Sequence, residues 1–380
     1  MALRYNSRLV FKELEKTNEL LMVNILQQDT KMAERLMTYS AISTELALLS
    51  DQRLSMLLEK AEPLSSSICG TTSLLKIGGA PVFVKKIRLT DVEKQPENVM
   101  STANLFDLPM YFQYGIGSQG FGAWRELAVH IMTTNWVLAG KCLNFPLMYQ
   151  WRVLPRLQHE EPTKQALNEL EKDVAFWDGS QAVRARMLAS LQASTEIVLF
   201  LEHMPENLHQ WLQRQMAQGS EAAESACTMV EKNLHTITSF INSHGLLHFD
   251  AHFWNILTDG HCLYFSDFGL AISDRFELSP TELDLFKQHH NYDFCYTMAF
   301  FVEYILRESF GSENYETILH EFATESPTKM LPPIMAAIVT RYAPMTTVMN
   351  AFHRTLKIES KETPYPVDEL ERLNHSINQL

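Results

Sequence analysis

Two carboxylates and one amide that could take part in catalysis lie in a single stretch, HGLLHFDAHFWNILTDGHCLYFSDFGLA, residues 244–271. Asn255 follows Asp250 by five positions, and Asp267 begins the tripeptide Asp-Phe-Gly after the strand-like run CLYFS. One such residue in a turn usually makes only local backbone hydrogen bonds. Three of them in this order, separated by a strand-like run, are harder to explain as independent turns, and their oxygen atoms are of the kind that can bind a metal ion or accept a proton.

A second interpretation of the same stretch is a transition-metal site. His248, Asp250 and His252 alternate along the sequence, so on an extended loop their side chains could point in one direction. Imidazole and carboxylate are ligands that suit Zn²⁺ or Fe²⁺. This interpretation leaves Asp267 and the Phe-Gly that follows it unexplained.

The order of these residues resembles a known family. His-Phe-Asp at 248–250, Asn255, and Asp-Phe-Gly at 267–269 are similar to the catalytic loop and metal-binding motif of the protein-kinase-like superfamily, which includes aminoglycoside and choline kinases. The resemblance implies an ATP- and Mg²⁺-dependent kinase that transfers a phosphoryl group to a hydroxyl acceptor. Asp250 would orient the acceptor hydroxyl, while Asn255 and Asp267 would hold Mg²⁺ on the phosphates of ATP.

A strand upstream also resembles the family. VFVKK, residues 82–86, is similar to the strand of these kinases that carries the phosphate-binding lysine, and the alignment selects Lys85. The helix beginning AWRELAVH offers Glu126 as the partner of that lysine. Because side chains alternate along a strand, only one of Lys85 and Lys86 can enter the cleft. The alternative is a register in which Lys86 enters the cleft, because it would turn the bulky Phe83 away from the nucleotide.

Two glycine-containing stretches could contact phosphates. In the family the phosphate-covering loop precedes the lysine strand, and this place falls to the turn Gly-Thr-Thr-Ser that begins at Gly70. QYGIGSQGFGAWRE contains Gly115-x-Gly117-x-x-Gly120 but lies beyond the lysine strand. Its glycines are expected to let the chain turn tightly before the next helix. Alternatively they cover the nucleotide, because helix N-termini attract phosphate.

Two further segments complete the resemblance. LFLEHM, residues 199–204, is similar to the last strand of the small lobe and the hinge, where the backbone near Glu202 and Met204 would meet adenine. Asp293, in NYDFCYTMAFF, resembles the helix aspartate that braces the catalytic loop through its backbone.

Three departures from the family concern regulation and the acceptor. Phe249 replaces the arginine that would bind a phosphorylated activation loop, so switching by that route is not expected. His252 stands where protein kinases commonly carry Lys and antibiotic kinases carry His. Only 26 positions separate Asp267 from Asp293 (293 minus 267), which leaves little room for a peptide-docking segment.

Three functions are compatible with these features. A protein Ser/Thr kinase is slightly favoured, because the Asp-Phe-Gly motif and the lysine strand are both present. His252, the short segment after Asp267 and the acidic charge favour a small-molecule kinase. The glycine-poor phosphate turn permits a catalytically silent scaffold that acts through its N-terminal helices. The retention of Asp250, Asn255 and Asp267 together opposes this function. The prediction is an active enzyme that uses ATP and Mg²⁺, with the identity of its acceptor and its oligomeric state left open.

The composition narrows the class of protein. The 380 residues are 46% apolar and 20% charged, and the formal charge of −13 argues against a nucleic-acid-binding surface. The five cysteines are odd in number and lack a C-x-x-C spacing, so no disulfide framework or zinc knuckle is indicated. The N-terminus has no apolar signal-peptide core, and no apolar run is long enough for a membrane span. A cytoplasmic protein is expected.

The elements that must position these residues predict an α+β fold, and the resemblance implies the bilobal form of protein kinases. Residues 1–63 have apolar residues at helical spacing and predict an N-terminal helical extension, expected to pack on the chain's own small lobe. Residues 64–203 predict a small antiparallel-sheet N-lobe with two inserted helices. Residues 204–380 predict a mainly helical C-lobe.

Overall fold

A five-stranded antiparallel sheet lies in the first half of the chain. The computed structural model describes residues 30–67, 70–156, 161–324 and 327–377. The strands are β1 (Glu62–Ser67), β2 (Gly70–Ile77), β3 (Ala80–Leu89), β4 (Met148–Pro155) and β5 (Thr195–Glu202). Their order in the sheet is β1-β2-β3-β5-β4, so β3 and β5 are central.

Helices surround this sheet. α1 covers residues 30–47, and it is followed by α2 (Asp51–Leu58), α3 (Ala123–Leu138), α4 (Lys164–Phe176) and α5 (Gln181–Gln192). Three of them begin at a hydroxyl side chain that accepts a hydrogen bond from the backbone N–H three residues later: Ser50, Thr163 and Ser180. The start of α3 is held differently, because the Glu93 carboxylate accepts from the Ala123 N–H at 2.6 Å. Side-chain capping therefore defines where these helices begin.

The two faces of β3 pack against different helices. Val84 is completely buried in the cluster that also contains Leu54 of α2. Ile87, on the opposite face, is buried in a second cluster with Leu127 of α3. Because side chains alternate along a strand, Lys85 shares the face of Ile87. The buried pattern of β3 thus turns Lys85 towards α3.

The second half of the chain is mainly helical. Its helices are α6 (Leu208–Ala217), α7 (Ser220–Ser243), α8 (Pro280–Gln288), α9 (Tyr292–Phe310), α10 (Tyr315–Ala323), α11 (Pro333–Ile358) and α12 (Val367–Ile377). One small sheet contains β6 (Glu206–Asn207), β8 (Ile256–Thr258) and β9 (Leu263–Phe265), and another pairs β7 (Leu246–Leu247) with β10 (Ile272–Ser273). Both motifs of the sequence analysis follow these short strands: residues 248–255 after β7 and residues 266–271 after β9.

The N-terminal helices pack on the sheet and on the segment around the end of β5. Ile42 and Leu46 of α1 are buried in the main hydrophobic cluster, and a fully buried side chain of this size contributes about 1.5–3 kcal/mol. Arg35 forms a two-pronged ion pair with Glu202, with Nε 2.8 Å from Oε1 and Nη2 2.7 Å from Oε2. Residues 30–58 therefore pack on the chain's own sheet, as predicted, whereas residues 1–29 of the predicted extension lie outside the described residues.

Most elements agree with the sequence analysis, including the helix at 123–138 and the two inserted helices α4 and α5. The predicted turn at 70–73 is wrong, because these residues form the start of β2 and pair with β3. Gly70 lies opposite Ile87, and a Cβ at Gly70 would overlap the carbonyl oxygen of Lys86. The glycine is therefore required by the close approach of two strands. The connection between β1 and β2, residues 68–69, lies outside the described residues.

The chain combines helices with an antiparallel sheet, an arrangement compatible with the α+β class. The predicted domain boundary at residue 63 falls inside β1, which already begins at Glu62. Within the described residues, no helix is both long enough and apolar enough to cross a bilayer.

Candidate active site

A cavity of about 270 Å³ lies between the sheet, the start of α3 and the loops that follow β7 and β9. Five residues predicted for the site line it: Gly70, Lys85, Glu126, Asp250 and Asp267. They come from β2, β3, α3 and the two motif loops, so the fold brings together residues that are far apart in sequence. The cavity is therefore the candidate site.

Lys85 is the centre of an ion-pair network in this cavity. Its Nζ lies 2.6 Å from Glu126 Oε1 and 2.8 Å from Asp267 Oδ1. The neighbouring Lys86 pairs instead with Glu196 of β5, at 3.3 Å. The predicted pair of Lys85 and Glu126 is thus present, and the register of β3 puts Lys85 rather than Lys86 beside both carboxylates.

The three members of the network shift one another's pKa values. Burial alone would lower the pKa of Lys85, but the charges of Asp267 and Glu126 raise it above its usual range. Burial alone would raise the pKa of Asp267, but the charge and hydrogen bond of Lys85 lower it to about 2. Burial raises the pKa of Glu126, and Lys85 opposes that shift. Lys85 is therefore charged and Asp267 ionised at neutral pH.

Asp250 and Asn255 are joined by hydrogen bonds. Asn255 Nδ2 donates to the backbone oxygen of Asp250 at 3.0 Å and to its Oδ2 at 3.1 Å. Burial, with the nearby charge of Asp267, raises the pKa of Asp250 to about 8. A carboxylate with its pKa near the working pH is an effective proton acceptor.

Asp293 holds the backbone of the catalytic-loop motif, as the sequence analysis predicts. Its Oδ2 accepts from the N–H of His248 at 2.6 Å, and its Oδ1 accepts from the N–H of Phe249 at 2.9 Å. Burial raises the pKa of Asp293 to about 6, although both hydrogen bonds oppose the shift. Asp293 lies in the first turn of α9, so this helix positions the loop that carries Asp250.

Aromatic packing holds both motif loops in place. Phe249 is completely buried and stacks on Tyr292 of α9 with ring centroids 4.7 Å apart. Phe268 packs between His130 of α3 and His248, at centroid distances of 4.9 and 5.2 Å. The loop residues that flank Asp250 and Asp267 are therefore anchored in the core.

The transition-metal interpretation is wrong. Nε2 of His248 donates to Ser266 O at 2.9 Å, and its Nδ1 accepts from the N–H of Asp250 at 3.3 Å. Both ring nitrogens are thus engaged by the backbone and are not available to a metal. No group of three or more His, Cys, Asp or Glu side chains in the described part of the chain is arranged to hold a metal ion.

The glycine-rich segment, residues 113–122, packs directly on the two motif loops. A Cβ at Gly115 would overlap Oδ1 of Asp250 and lie 3.2 Å from its Cγ. A Cβ at Gly120 would overlap the carbonyl oxygen of Gly269, and Gln113 Nε2 donates to the carbonyl oxygen of Leu270. The glycines thus allow this segment to contact Asp250 and the Asp-Phe-Gly loop, in addition to turning the chain into α3.

A buried ion pair, not predicted from the sequence, fixes α3 to the segment after the Asp-Phe-Gly loop. Arg125 Nη2 lies 2.5 Å from Oε1 of Glu282 in α8, and both side chains are almost completely buried. Arg125 also donates to the backbone oxygen of Thr102 at 2.7 Å. Because Arg125 precedes Glu126, this contact helps to hold Glu126 towards Lys85.

The remaining predicted site residues are not among those that line the cavity. Asn255 does not line the cavity, but it is hydrogen-bonded to Asp250, which does. The side chain of Glu202 is occupied by Arg35, and its N–H donates to Leu147 O at 2.7 Å. The predicted contact of Glu202 with adenine therefore cannot use either group, and Met204 is half-buried in the irregular segment after β5.

Comparison with known proteins does not identify a family. No protein-family model matches the sequence, and no curated protein matches it either.

Proposed function

We propose that the protein is an ATP- and Mg²⁺-dependent phosphotransferase with the bilobal fold of the protein-kinase-like superfamily. Strands β1–β5 with α3 would form the small lobe, and α6–α12 the large lobe. The observation that carries the proposal is that Lys85 bridges Glu126 and Asp267 in a cavity that Asp250 also lines. Kinases use a strand lysine, a helix glutamate and a motif aspartate in this way to hold the phosphates of ATP.

The residues present fit a magnesium ion. Asp267 is ionised at neutral pH because Lys85 lowers its pKa. Asn255 uses its Nδ2 on Asp250, which leaves its amide oxygen for a metal. Mg²⁺ prefers oxygen ligands and would neutralise charge on the transferring phosphoryl group. Asp267 and Asn255 would hold the ion, while Lys85 contacts the phosphates and Glu126 keeps Lys85 in position.

Asp250 is the proposed proton acceptor. Its raised pKa gives the carboxylate more affinity for a proton than an exposed aspartate has. In the proposed reaction, the acceptor hydroxyl donates its proton to Asp250 while its oxygen forms a bond to the γ-phosphorus and the bond to ADP breaks. Asn255 orients Asp250 through the hydrogen bond to Oδ2.

The proposed acceptor is a hydroxyl group, with a protein Ser or Thr favoured by the sequence motifs. A small molecule is the second candidate, and the packing of Gly115 against the Asp250 carboxylate favours it. A segment that lies directly on this carboxylate restricts the space through which an extended peptide could approach.

Ligand-dependent thermal stability tests the nucleotide site. A ligand at a hundred times its Kd stabilises a fold by about 2.7 kcal/mol, so Mg-ATP should raise the melting temperature. Asp267→Asn should abolish most of this rise. Asp284→Asn, which alters an exposed carboxylate on α8, should keep it. A wild-type protein whose melting temperature does not respond to any nucleotide with Mg²⁺ or Mn²⁺ would be a silent scaffold.

Incubation with labelled ATP, Mg²⁺ and cell extract then identifies the acceptor class. Label in protein would support the first candidate, and label in a small metabolite the second. Nucleotide binding without transfer to either would contradict the proposed activity.

A further inference from the structure

Among the described residues, Lys86, Arg88 and Arg186 line the cavity together with Lys85, and Arg186 comes from the helical insertion. Arg186 lies on α5, and its side chain is only 5% exposed. Its guanidinium lies over the ring of Phe106, with Cζ 5.5 Å from the ring centroid. The insertion between β4 and β5 therefore places a buried positive charge at the candidate active site.

Most hydrogen-bonding capacity of this guanidinium is unused. Among the described residues, no acceptor bonds Nε or Nη1 of Arg186, which together carry three of its five N–H donors. The nearest carboxylate oxygen, Glu93 Oε2, is 3.7 Å from Nη1, which is too long for a hydrogen bond. Leaving buried donors unsatisfied is costly, and Arg186 lines the cavity, so a ligand bound there could satisfy its guanidinium.

Glu93 is already committed to other donors. Its Oε2 accepts from the N–H of Thr90 at 2.9 Å and from the Thr90 hydroxyl at 2.7 Å. Its Oε1 accepts from the N–H of Ala123, the first residue of α3, at 2.6 Å. Glu93 thus holds the start of α3 and stays at ion-pair distance from Arg186 without accepting a hydrogen bond from it.

Beside the carboxylates of Glu126, Asp250 and Asp267, the cavity wall contains groups that can bind an oxygen-rich anion. Five hydroxyl side chains line it: Ser65, Thr71, Thr72, Ser118 and Ser190. The first turn of α3 contributes Ala123 and the positive end of a helix dipole. A guanidinium binds a phosphate group through two parallel N–H···O bonds, and hydroxyl groups can donate to its other oxygens.

We propose that Arg186 binds a phosphate group of a substrate inside this cavity, in addition to the phosphate contact proposed for Lys85. The phosphate belongs either to the nucleotide or to a phosphorylated acceptor. The inference rests on the proposed function for the source of the phosphate. The anion site itself can be tested without turnover.

Calorimetric titration of Arg186→Gln tests the site with four probes: Mg-ATP, AMP, inorganic pyrophosphate and inorganic phosphate. The control is Arg184→Gln on the same helix, since Arg184 is an exposed residue that pairs with Glu171 on the surface. Arg186→Gln should bind pyrophosphate at least tenfold more weakly than wild type, and Arg184→Gln should match wild type. Equal pyrophosphate affinity in Arg186→Gln and wild type would overturn the proposal.

The other probes identify the source of the phosphate. If Arg186→Gln loses affinity for Mg-ATP but not for AMP, the phosphate belongs to the nucleotide. The other outcome is that Arg186→Gln binds Mg-ATP as tightly as wild type does. If inorganic phosphate then binds to wild-type protein saturated with Mg-ATP, but not to Arg186→Gln saturated with Mg-ATP, the phosphate belongs to the acceptor. A wild type that binds pyrophosphate through Arg186 but binds no nucleotide would refute the proposed function and retain the anion site.

A second variant, Ser190→Asp, tests the same site in case Arg186→Gln does not fold. Ser190 is buried one helical turn after Arg186 and lines the same cavity. Ser190→Asp should supply the missing acceptor, raise the melting temperature without ligand and abolish pyrophosphate binding through repulsion. Wild-type pyrophosphate affinity in a folded Ser190→Asp protein would contradict a phosphate site at Arg186.

Discussion

The contact between Gly115 and Asp250 predicts a variant that loses turnover but keeps nucleotide binding. A Cβ at residue 115 would overlap Oδ1 of Asp250. The backbone of Gly115 is not in the left-handed region, so alanine is compatible with its conformation. Gly115→Ala should therefore displace the Asp250 carboxylate. This group would have to move by roughly 1 Å for its Oδ1 to reach an ordinary van der Waals separation from the new Cβ.

The size of the effect follows from what that movement breaks. The Asp250 carboxylate would leave the position in which Asn255 Nδ2 donates to Oδ2 at 3.1 Å. A displacement of about 1 Å in a catalytic group can cost roughly a hundredfold in rate, or about 2.7 kcal/mol in the barrier. Loss of one hydrogen bond, partly offset by the reduced entropy of the unfolded chain, should lower the free energy of unfolding by only about 1 kcal/mol. Affinity for Mg-ATP should stay unchanged, since Lys85 and Asp267 are not touched.

Gly117→Ala is the matched control in the same segment. Gly117 has a φ of 115° and nothing lies within 4 Å of a Cβ added there. Backbone strain should make Gly117→Ala cost about 1–2 kcal/mol of stability while turnover stays near wild type. ATP turnover, calorimetric Mg-ATP affinity and urea unfolding would be measured for both variants. Full turnover in Gly115→Ala, or equal loss of turnover and Mg-ATP binding, would refute the reasoning.

Three other expectations concern the charges of the site. Lys85→Met should weaken Mg-ATP binding or turnover at least tenfold, about 1.4 kcal/mol, with Lys86→Met nearly silent in the same calorimetric and kinetic assays; the reverse ranking would contradict the register of β3. Asp250→Asn should bind Mg-ATP but lose most turnover. In the wild-type protein kcat/KM should rise with pH up to about 8, because Asp250 must be ionised to accept a proton. A kcat/KM that does not change over pH 6–9 would exclude Asp250 as the base. Glu282→Gln should lower the free energy of unfolding by about 3 kcal/mol in urea, compared with less than about 1 kcal/mol for the exposed Glu171→Gln, since only the first leaves a buried charge unpaired.

Sequence patterns predict the parts of the site that depend on local geometry. Alternation along β3 predicts that only one of Lys85 and Lys86 enters the cleft, and the resemblance of VFVKK to the kinase lysine strand selects Lys85. The motif order of Asp250, Asn255 and Asp267 predicts residues of one site. At Gly70 the secondary structure is determined by tertiary packing. The residues that follow it are typical of a turn, but they form a strand. Pairing with β3 and the close approach to Lys86 outweigh the local preference of Gly-Thr-Thr-Ser for a turn.

Contacts between distant parts of the chain cannot be predicted from the local sequence pattern. Gly115 and Asp250 are 135 positions apart (250 minus 115), and the glycine-rich pattern indicates chain flexibility without indicating which residue approaches it. The same holds for Arg186, because α5 does not have separate polar and apolar faces that would indicate which of its residues are buried. Its burial becomes evident only when α5 is packed beside β3 and the start of α3.

The buried contacts around α3 explain how the Lys85 network is held without a phosphorylated loop. In the proposed kinase-like fold, Phe249 stands where an arginine would bind such a loop, and it stacks in the core on Tyr292. The buried pair of Arg125 and Glu282 instead connects α3 to α8. Breaking a buried pair costs about 3–5 kcal/mol, so α3 is held in the position where Glu126 meets Lys85. In the proposed phosphotransferase this arrangement is part of the folded state, and the packing of Gly115 against the Asp250 carboxylate limits the space through which an acceptor reaches it.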